Sequence, residues 1–493
     1  MIFSRYTCTK RFTLTYSIRN FASKHSPTIY ALSTAAGKSA IAVIRVSGSG
    51  SKFVLESLGA TKWDARKAIL HSFRAQDGSV IDRGLYTYFP GPRSYTGEDM
   101  VEIHVHGGTA VVRAMLASIQ ALSQNGEIRY AEAGEFTRRA FDNGKLDLTQ
   151  VEGIGEIIDA ETELQRKAAV GPSGGHMHQL YRQWQESLLK QMGMLTALID
   201  FTDEDIDSSD KLFSGVYKSV HNIRDQVAGQ IKGIDQFEML RNGASVTLIG
   251  EPNAGKSTLL NALVGRDAAI VSEVAGTTRD VMELTVDLRG HKITLSDTAG
   301  IREDSLDKIE NEGIRRAKDK ISSTDLLLLV LPLTEPAVSR DVVKTISRYG
   351  AGTPLIIVGT KPDLVENPQH KFNLMLRDID LNYDTALTVN GCKKDGVSNL
   401  FDLISVQVNN MFDFKGIEPI GASHRVKEIL KQEVLPGLDR ALTIYKDAGN
   451  PDRITFFTEE LRYAADSFGK IMGKGLDVEE ILDVVFSSFC IGK

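Results

Sequence analysis

The stretch SVTLIGEPNAGKSTLLNALVG, residues 245–265, decides the fold of the middle of this chain. Its opening, SVTLI, is mostly apolar and β-branched, as in a buried strand, whereas STLLNALVG repeats apolar positions at helical spacing. Between them, GEPNAGKS supplies the glycines, the lysine and the hydroxyl of a loop that surrounds a phosphate with backbone N–H groups. The stretch therefore predicts a strand, a phosphate-binding loop and a helix, in that order.

Length and composition limit what surrounds this loop. A chain of 493 residues is too long for one core, so we expect two to four domains. Hydrophobic residues at 42% and charged residues at 25% are ordinary for a globular protein. No apolar run approaches the roughly 18 residues that span a bilayer. The 3 cysteines are too few and too scattered for a disulfide framework.

The N-terminal segment differs from the rest of the chain. Residues 1–26 are rich in Lys, Arg, Ser and Thr, and no acidic residue precedes Glu56. The apolar core of a secretory signal is missing, so residues 1–26 are predicted to be a mitochondrial transit peptide, with a disordered basic tail as the alternative. Without this segment the chain is more acidic than its formal net charge of -6. A nucleic acid would then have to meet a local basic patch.

Further motifs follow in the order that a GTP site requires. Lys256 can place its ammonium on the β and γ phosphates, and the Ser257 hydroxyl can bind Mg²⁺. In KITLSDTAG, Asp297 ends a strand where it can hold a water on Mg²⁺, and the Gly300 N–H lies near the γ-phosphate. GTTRD, from position 276, supplies Thr278 as a second hydroxyl for the metal. Together these residues predict a phosphate and magnesium site.

The base-binding motif departs from the usual pattern. PLIIVGTKPD places Lys361 and Asp363 after a strand, where the carboxylate can accept two hydrogen bonds from guanine. The nucleotide is therefore predicted to be GTP. The motif opens with Thr360 where asparagine is usual, and residues 390–392, Asn-Gly-Cys, stand where a Ser-Ala-Lys type turn is expected. The base-binding half of the site is thus less typical than the phosphate half.

The residue after Gly300 decides how water is activated. Ras-like enzymes place a glutamine there, whereas this chain has Ile301, which carries no polar group. Hydrolysis then needs another group, and Glu310 is one candidate; its alternative is a solvated helix residue. A monovalent cation near Asn253 could replace an arginine finger.

Longer blocks of the chain resemble a known family. They are TIYALSTAAGKSAIAVIRVSG, SYTGEDMVEIHVHGG, GEFTRRAFDNGKLDLTQVEGI and the terminal FSSFCIGK. With the nucleotide motifs, these blocks resemble the MnmE (TrmE) family of GTPases that modify the wobble uridine of tRNA, and the basic N-terminus resembles that of its mitochondrial member. The resemblance runs from about Pro27 to Lys493.

The resemblance implies a K⁺-dependent GTPase whose G domains pair across a dimer. It implies Glu310 as the catalytic glutamate, Ser257 and Thr278 as Mg²⁺ ligands, and Asn253, Ser272, Val274 and Thr277 around K⁺. The residues that it assigns to GTP are Asn253, Ala254, Gly255, Lys256, Ser257, Thr258, Thr277, Thr278, Asp297, Gly300, Thr360, Lys361, Asp363, Asn390, Gly391 and Cys392. It also implies a folate pocket made by Arg45, Glu102, Lys145 and Lys493. Cys490 is either a catalytic thiol or a small buried hydrophobe.

The predicted fold is a multidomain α/β chain. After the transit peptide, residues 27–145 are predicted to form an α+β folate-binding and dimerisation domain. Residues 146–242 and 412–493 carry helical periodicity. They are predicted to form one discontinuous α-helical domain, interrupted by a Ras-like P-loop GTPase domain at residues 243–411.

The family implies a function shared with a partner. An FAD-containing protein of the MnmG (GidA) type would act with this chain in the mitochondrial matrix, and association with the inner membrane is an open alternative. Together they would attach an aminomethyl-type group, such as carboxymethylaminomethyl, to C5 of the wobble uridine, using 5,10-methylenetetrahydrofolate. The competing hypothesis is an RNA-binding regulatory or ribosome-assembly GTPase.

Overall fold

The structure is a computed structural model of the chain. It describes residues 26–123, 127–200, 206–264, 269–274, 282–297, 319–393, 396–411, 420–446, 452–474 and 478–492. For residues 198–200, 206–210, 264, 269–274, 282, 478–481 and 484 it describes the backbone only. Contacts divide the chain into two compact units, one comprising Met1–Leu146 with Glu480–Lys493 and the other Asp147–Glu479. The predicted transit peptide lies almost wholly outside the described residues.

The first unit is built on a mixed sheet. Its strands are β1 (Thr28–Leu32), β2 (Ile41–Ser47), β3 (Ile69–Arg74), β4 (Val80–Phe89), β5 (Met100–His106) and β6 (Ile128–Tyr130), in the order β3-β4-β5-β2-β1-β6. Only the β1–β6 pair is parallel among these neighbours. In β2, Ala42, Ile44 and Val46 enter the core, so the alternation of the strand puts Arg45 on the other face. Arg45 stands opposite Glu102 of β5 in the register.

Helices α1 (Ser51–Ser57), α2 (Thr109–Gln120) and α3 (Glu135–Asp142) also belong to the first unit. Buried apolar residues of α1 and α2, such as Val54 and Met115, share one core with the sheet. An α+β module was predicted for this part of the chain, and the observed elements agree with that fold class.

The C-terminal segment packs within this first unit. Ile491 forms a backbone bridge with Ala133, after the C-terminal helix (Val478–Ser487) has ended. Gly134 approaches that helix so closely that a Cβ would lie 2.3 Å from the Phe486 carbonyl oxygen. The sequence assigned all of 412–493 to the helical domain, but these backbone contacts group Glu480–Lys493 with the N-terminal unit. The domain boundaries stay a prediction.

The second unit begins with helices. They are α4 (Leu148–Asp159), α5 (Glu163–Ser173), α6 (His176–Asp200) and α7 (Ile206–Asn242). Asp147 and Thr162 begin α4 and α5 with capping boxes. In each, the cap side chain accepts a backbone N–H of the first turn, and a glutamine side chain three residues later accepts the N–H of the cap residue. Helical structure was predicted for this stretch.

The middle of the second unit is a seven-stranded sheet. Its strands are β7 (Ala244–Ile249), β8 (Ala269–Val274), β9 (Met282–Leu288), β10 (His291–Asp297), β11 (Leu326–Pro332), β12 (Leu355–Thr360) and β13 (Thr385–Val389). The order is β13-β12-β11-β7-β10-β9-β8, and β13, β12, β11, β7 and β10 run parallel. The described helices beside it are α8 (Lys256–Val264), α9 (Arg340–Tyr349), α10 (Pro368–Arg377) and α11 (Val397–Met411). Every residue of β11 is buried, as its uninterrupted apolar run predicts.

The chain then returns to helices. They are α12 (His424–Ile429), a π-helical turn (Leu430–Val434), α13 (Leu435–Lys446) and α14 (Arg453–Ile471). One apolar core combines residues of α6 and α7 with residues of α12 to α14, for example Tyr181 with Phe468. The prediction of one helical domain interrupted by a nucleotide-binding domain is therefore confirmed.

The turn between β9 and β10 contacts the helical segment. Gly290 has φ +93° there, and a Cβ on it would lie 2.9 Å from Leu164 Cγ in α5. Lys292 of β10 forms an ion pair with Glu161, just before α5. The buried Gln165 Nε2 donates to a carbonyl in the last turn of α7 at 2.9 Å, just before β7 begins. The amino ends of β7 and β10 are thus anchored to the helices.

Across the described parts of the chain, no helix is both long and apolar enough to pass through a membrane.

Candidate functional site

The nucleotide motifs meet at one edge of the seven-stranded sheet. The phosphate loop follows β7, Asp297 ends β10, Thr360 ends β12 and Asn390 follows β13. These four strands are parallel, so their carboxyl ends lie along the same edge. Ligands of parallel α/β sheets bind at this edge. Residues separated by more than 100 positions in the sequence are therefore brought to one place.

The phosphate loop has the backbone of an anion cradle. Asn253 and Gly255 have φ of +62° and +95°, in the left-handed region that lets successive N–H groups turn inward. Lys256 is 6% exposed, and its Nζ donates to the carbonyls of Gly250 at 3.0 Å and Glu251 at 2.9 Å. Burial lowers the pKa of the Lys256 ammonium. A bound phosphate would supply the negative charge that favours its protonated form.

The predicted magnesium ligands are adjacent. Ser257 Oγ donates to Asp297 Oδ2 at 2.6 Å, although 40 residues separate them in the chain. Asp297 Oδ1 is buried and has no hydrogen-bond partner among the described residues. Hydroxyl and carboxylate oxygens are the ligands that Mg²⁺ prefers, so this pair fits the ion.

Thr360 connects the base loop to the phosphate loop. Its side chain is 5% exposed, and Oγ1 donates to the Ala254 carbonyl at 2.6 Å, with a longer contact of 3.3 Å to the Leu331 carbonyl. Immediately after it, Lys361 has φ +57°, which turns the chain so that the exposed Asp363 follows. The threonine that replaces the usual asparagine is therefore a structural link between two loops.

Asn390 organises the other turn that is predicted to bind the base. It is 6% exposed, and its Oδ1 accepts the N–H groups of Cys392 at 3.1 Å and Lys393 at 3.0 Å. A Cβ on Gly391 would lie 3.2 Å from the Thr258 side chain, so this turn rests on the start of α8. The Cys392 thiol is exposed.

Several predicted residues lie outside the described residues: Thr277, Thr278, Gly300, Glu310 and Lys493. Ser272 and Val274 are described only as backbone positions of β8. The catalytic glutamate, all four K⁺ ligands and the second Mg²⁺ hydroxyl remain predictions.

A second cluster lies in the first unit. Arg45 donates to Glu102 Oε1 through Nε at 3.1 Å and Nη2 at 2.8 Å, and about one fifth of each side chain is exposed. The guanidinium carbon lies 5.2 Å from the Tyr95 ring and 5.8 Å from the Phe136 ring. Two aromatic rings and a carboxylate therefore fix the direction of this guanidinium.

Tyr95 and Phe136 were missed from the sequence, although both lie in the blocks that carry the family resemblance. Lys145 reaches the same loop as Tyr95, since its Cγ would lie 3.4 Å from a Cβ on Gly97. Gly492, which precedes Lys493, accepts a hydrogen bond from Ser33 Oγ at 2.9 Å. The structure thus links Lys145 to this cluster through a loop.

Cys490 is exposed, so its interpretation as a small buried hydrophobe is wrong. It lies beyond the end of the C-terminal helix and before the bridge at Ile491, where nothing described covers its side chain.

Comparisons with known proteins extend over nearly the whole chain. Residues 28–145 match the family model of the N-terminus of the GTP-binding protein TrmE, and residues 148–490 match that of the MnmE helical domain. The tRNA modification GTPase MSS1, mitochondrial, of Saccharomyces cerevisiae is 40% identical, over 95% of this chain and 93% of its own. The tRNA modification GTPase MnmE of Mesorhizobium japonicum is also 40% identical, over 94% of this chain and 99% of its own.

A solved structure matches more weakly. Era in complex with MgGDPNP and part of 16S ribosomal RNA is 25% identical over 33% of this chain and 55% of that chain, with a TM-score of 0.28.

The link made by Thr360 can be tested by substitution. Thr360→Val keeps the shape of the side chain but removes the donor to the Ala254 carbonyl. We expect the affinity for a fluorescent GTP analogue to fall roughly fivefold, because a buried hydrogen bond contributes about 1 kcal/mol. Thr360→Ser keeps the hydroxyl and should bind like the wild type. Equal affinity of the valine variant and the wild type in a fluorescence titration would contradict the link.

Proposed function

This chain belongs to the MnmE (TrmE) family of tRNA modification GTPases, and from that premise we propose a specific reaction for it. Hydrolysis of GTP drives the modification of C5 of the wobble uridine in mitochondrial tRNAs. The group added is of the aminomethyl type, such as carboxymethylaminomethyl, and its one-carbon unit comes from 5,10-methylenetetrahydrofolate. An FAD-containing partner of the MnmG type supplies the redox chemistry.

One observation carries this proposal: the similarity is not confined to the GTPase motifs. It includes residues 28–145 and the helical segments on both sides of the nucleotide-binding domain. The match is therefore to the tRNA modification GTPases as a family and not to their GTPase motifs alone. Relatives that match along the whole length are named tRNA modification GTPases.

The residues of the nucleotide edge suit GTP hydrolysis. Lys256 would hold the phosphates, Ser257 and Asp297 would hold Mg²⁺ with Thr278, and Asp363 would select guanine. When bound, Mg²⁺ shields the phosphate charge as the leaving group departs. Glu310 would orient the attacking water, directly or through a second water.

The family resemblance supports a K⁺ ion beside the phosphate loop. Asn253, in its left-handed backbone conformation, would contribute to the K⁺ site with Ser272, Val274 and Thr277. A cation at that place compensates the charge that develops on the transferred phosphoryl group. We propose this ion as the substitute for an arginine finger.

The cluster of the first unit supports folate binding. The pterin ring of a folate offers a row of donors to a carboxylate, which Glu102 would supply, while the glutamate tail of the folate needs cations. Lys145 and the terminal Lys493 would supply these, and Arg45, which is bonded to Glu102, would contact the ligand at the pterin end. The aromatic rings beside Arg45 keep its guanidinium from turning away.

Assembly and location are proposed from the family. The chain would form a homodimer through residues 27–145, with the G domain at 243–411 inserted into a helical domain of 146–242 and 412–493. It would act with its partner in the mitochondrial matrix, because the relative from Saccharomyces cerevisiae is named mitochondrial and residues 1–26 have the composition of a transit peptide. N-terminal sequencing of the protein from purified mitochondria tests the location.

Nucleoside mass spectrometry tests the proposed function. Mitochondrial tRNA from cells that lack this protein should lose the C5-modified uridine, and the wild-type gene should restore it. Glu310→Ala should fail to restore it, because loss of a water-activating group lowers kcat about a hundredfold or more. An unchanged nucleoside profile in the deleted cells would reject the proposal in favour of an assembly GTPase.

The K⁺ proposal predicts an ion-specific rate. GTP hydrolysis in KCl should exceed that in NaCl at equal ionic strength by roughly a hundredfold, as for one oriented charge-stabilising group. Asn253→Ala should remove this difference, whereas the control Asn261→Ala, on the exposed side of α8, should keep it. Equal wild-type rates in the two salts would reject the ion.

Folate binding is tested by calorimetric titration with 5,10-methylenetetrahydrofolate or a stable 5-substituted analogue. Glu102→Gln should weaken binding about tenfold or more, because a charge-assisted hydrogen bond is replaced by a neutral one. Glu127→Gln, an exposed carboxylate of the same unit, is the matched control. If both variants bind as tightly as the wild type, Glu102 does not contact the ligand.

A further inference from the structure

We propose that a cationic patch on the first unit, formed by Lys52, Lys62, Arg66, Lys67 and Arg93, binds the phosphate backbone of tRNA. The inference rests on the proposed function, which requires the tRNA to bind this protein. It concerns a surface outside the residues assigned to GTP and folate. A chain with a net charge of -6 repels nucleic acid overall, so a local excess of positive charge is needed.

Backbone contacts hold the patch together. The segment 61–67 lies against the carboxyl end of β4, where the Arg66 N–H donates to the Tyr88 carbonyl at 2.8 Å. The Tyr86 hydroxyl donates to the Lys62 carbonyl at 2.8 Å. The Arg66 guanidinium donates to the backbone carbonyl of Arg93, which joins this segment to the loop after β4.

Lys52 extends the patch from the start of α1. Its Nζ lies 5.0 Å from the centre of the Tyr88 ring. Tyr88 is also the residue whose carbonyl accepts the Arg66 N–H. Phe53, beside it, is 50% exposed although it is a large apolar residue. An exposed aromatic ring can stack an unpaired base, and Phe53 offers such a ring next in the sequence to Lys52.

The carboxylates near the patch do not cancel its charge. Asp99 lies 3.9 Å from Lys52, Asp64 lies 3.5 Å from Lys67, and Glu56 is one turn along α1. Five cations therefore face three anions. Lys67 and Asp64 are 70% and 62% exposed, so their pairing is weak and leaves the lysine available to a phosphate.

The conformation of Arg66 also points to a function. Its φ is +59°, in a region that strains a residue with a Cβ and that glycine adopts freely. Stability alone would favour glycine at this turn. Arginine gives a planar set of donors suited to phosphate, and strained backbone of this kind is concentrated at binding sites.

One loop carries both the patch and the second cluster of the candidate site. Arg93 and Tyr95 are two residues apart in the connection between β4 and β5, and the Tyr95 ring lies beside the Arg45 guanidinium. RNA held by its backbone at the patch would therefore lie next to the proposed one-carbon site. The same loop is fixed at Gly91, whose N–H donates to Asp99 Oδ1 at 2.9 Å.

The test measures binding of an unmodified, fluorescently labelled tRNA transcript to the full chain. The titration is repeated at KCl concentrations from about 50 to about 200 mM, over which phosphate contacts weaken strongly. The triple variant Lys62→Gln, Arg66→Gln, Arg93→Gln should bind at least about tenfold more weakly at the lowest salt. Its slope of log affinity against log salt should be shallower by about 2 to 3, one phosphate contact per cation. The matched control is Lys38→Gln, Arg83→Gln, Arg113→Gln, which removes three exposed cations of the same unit outside the patch.

A third variant, Lys62→Arg, Arg66→Lys, Arg93→Lys, keeps the charges and should bind tRNA nearly as the wild type does. GTP hydrolysis and the thermal unfolding midpoint of each variant show that it is folded. Wild-type slopes in the glutamine variant, or equal losses in the control, would overturn the proposal. So would a patch that binds an acidic protein but no tRNA. Because this readout is binding, it is independent of the nucleoside profile that tests the proposed function.

Discussion

The parallel pairing of β7 with β10 is the constraint on which the nucleotide site depends. Its register sets Asp297 opposite Leu248, two residues before the phosphate loop begins at Gly250 on the neighbouring strand. This offset brings Asp297 within 2.6 Å of the Ser257 hydroxyl. A slip of one residue would turn the carboxylate to the other face of the sheet. The alternation of β10 prevents such a slip: Ile293 and Leu295 are buried, whereas Lys292 is partly exposed, and a shift of one residue would exchange their environments.

The amino ends of the same parallel strands contact the helical domain. Their carboxyl ends carry the nucleotide residues, so their amino ends are free to contact the helical domain. Gly290 and Lys292 contact the start of α5, and Gln165 binds the last turn of α7, which leads directly into β7. Each of the two strands that carry the phosphate and metal residues is thus attached to a helix at its far end. A movement of β10 against β7 would have to break these contacts or move α5.

Much of this arrangement could be predicted because the informative residues are neighbours in the sequence. The phosphate loop, Asp297 and the strand at 326–332 are short patterns with a local physical cause. The link from Thr360 to Ala254 could not be predicted, since its partners are 106 residues apart and meet only through the order of β12, β11 and β7. The packing of Ile491 against Ala133 was missed for the same reason. Periodicity identifies a helix but not the domain that it joins.

The two parts of the helical domain are separated in the sequence by the seven-stranded sheet. A buried ion pair helps to hold them together. Arg425 of α12 binds Glu152 of α4 through two nitrogens, at 2.8 Å and 3.1 Å, and also donates to two carbonyls at the end of α14. Glu152 is only 8% exposed, so removing the arginine would leave a charge that water cannot reach well. The segment that leads from the sheet back into the helical domain is also held in place. In it, the Gly421 N–H donates to the Ala168 carbonyl of α5 at 3.2 Å. Since α5 also receives the turn between β9 and β10, one helix connects both parts of the domain to the strand that ends at Asp297.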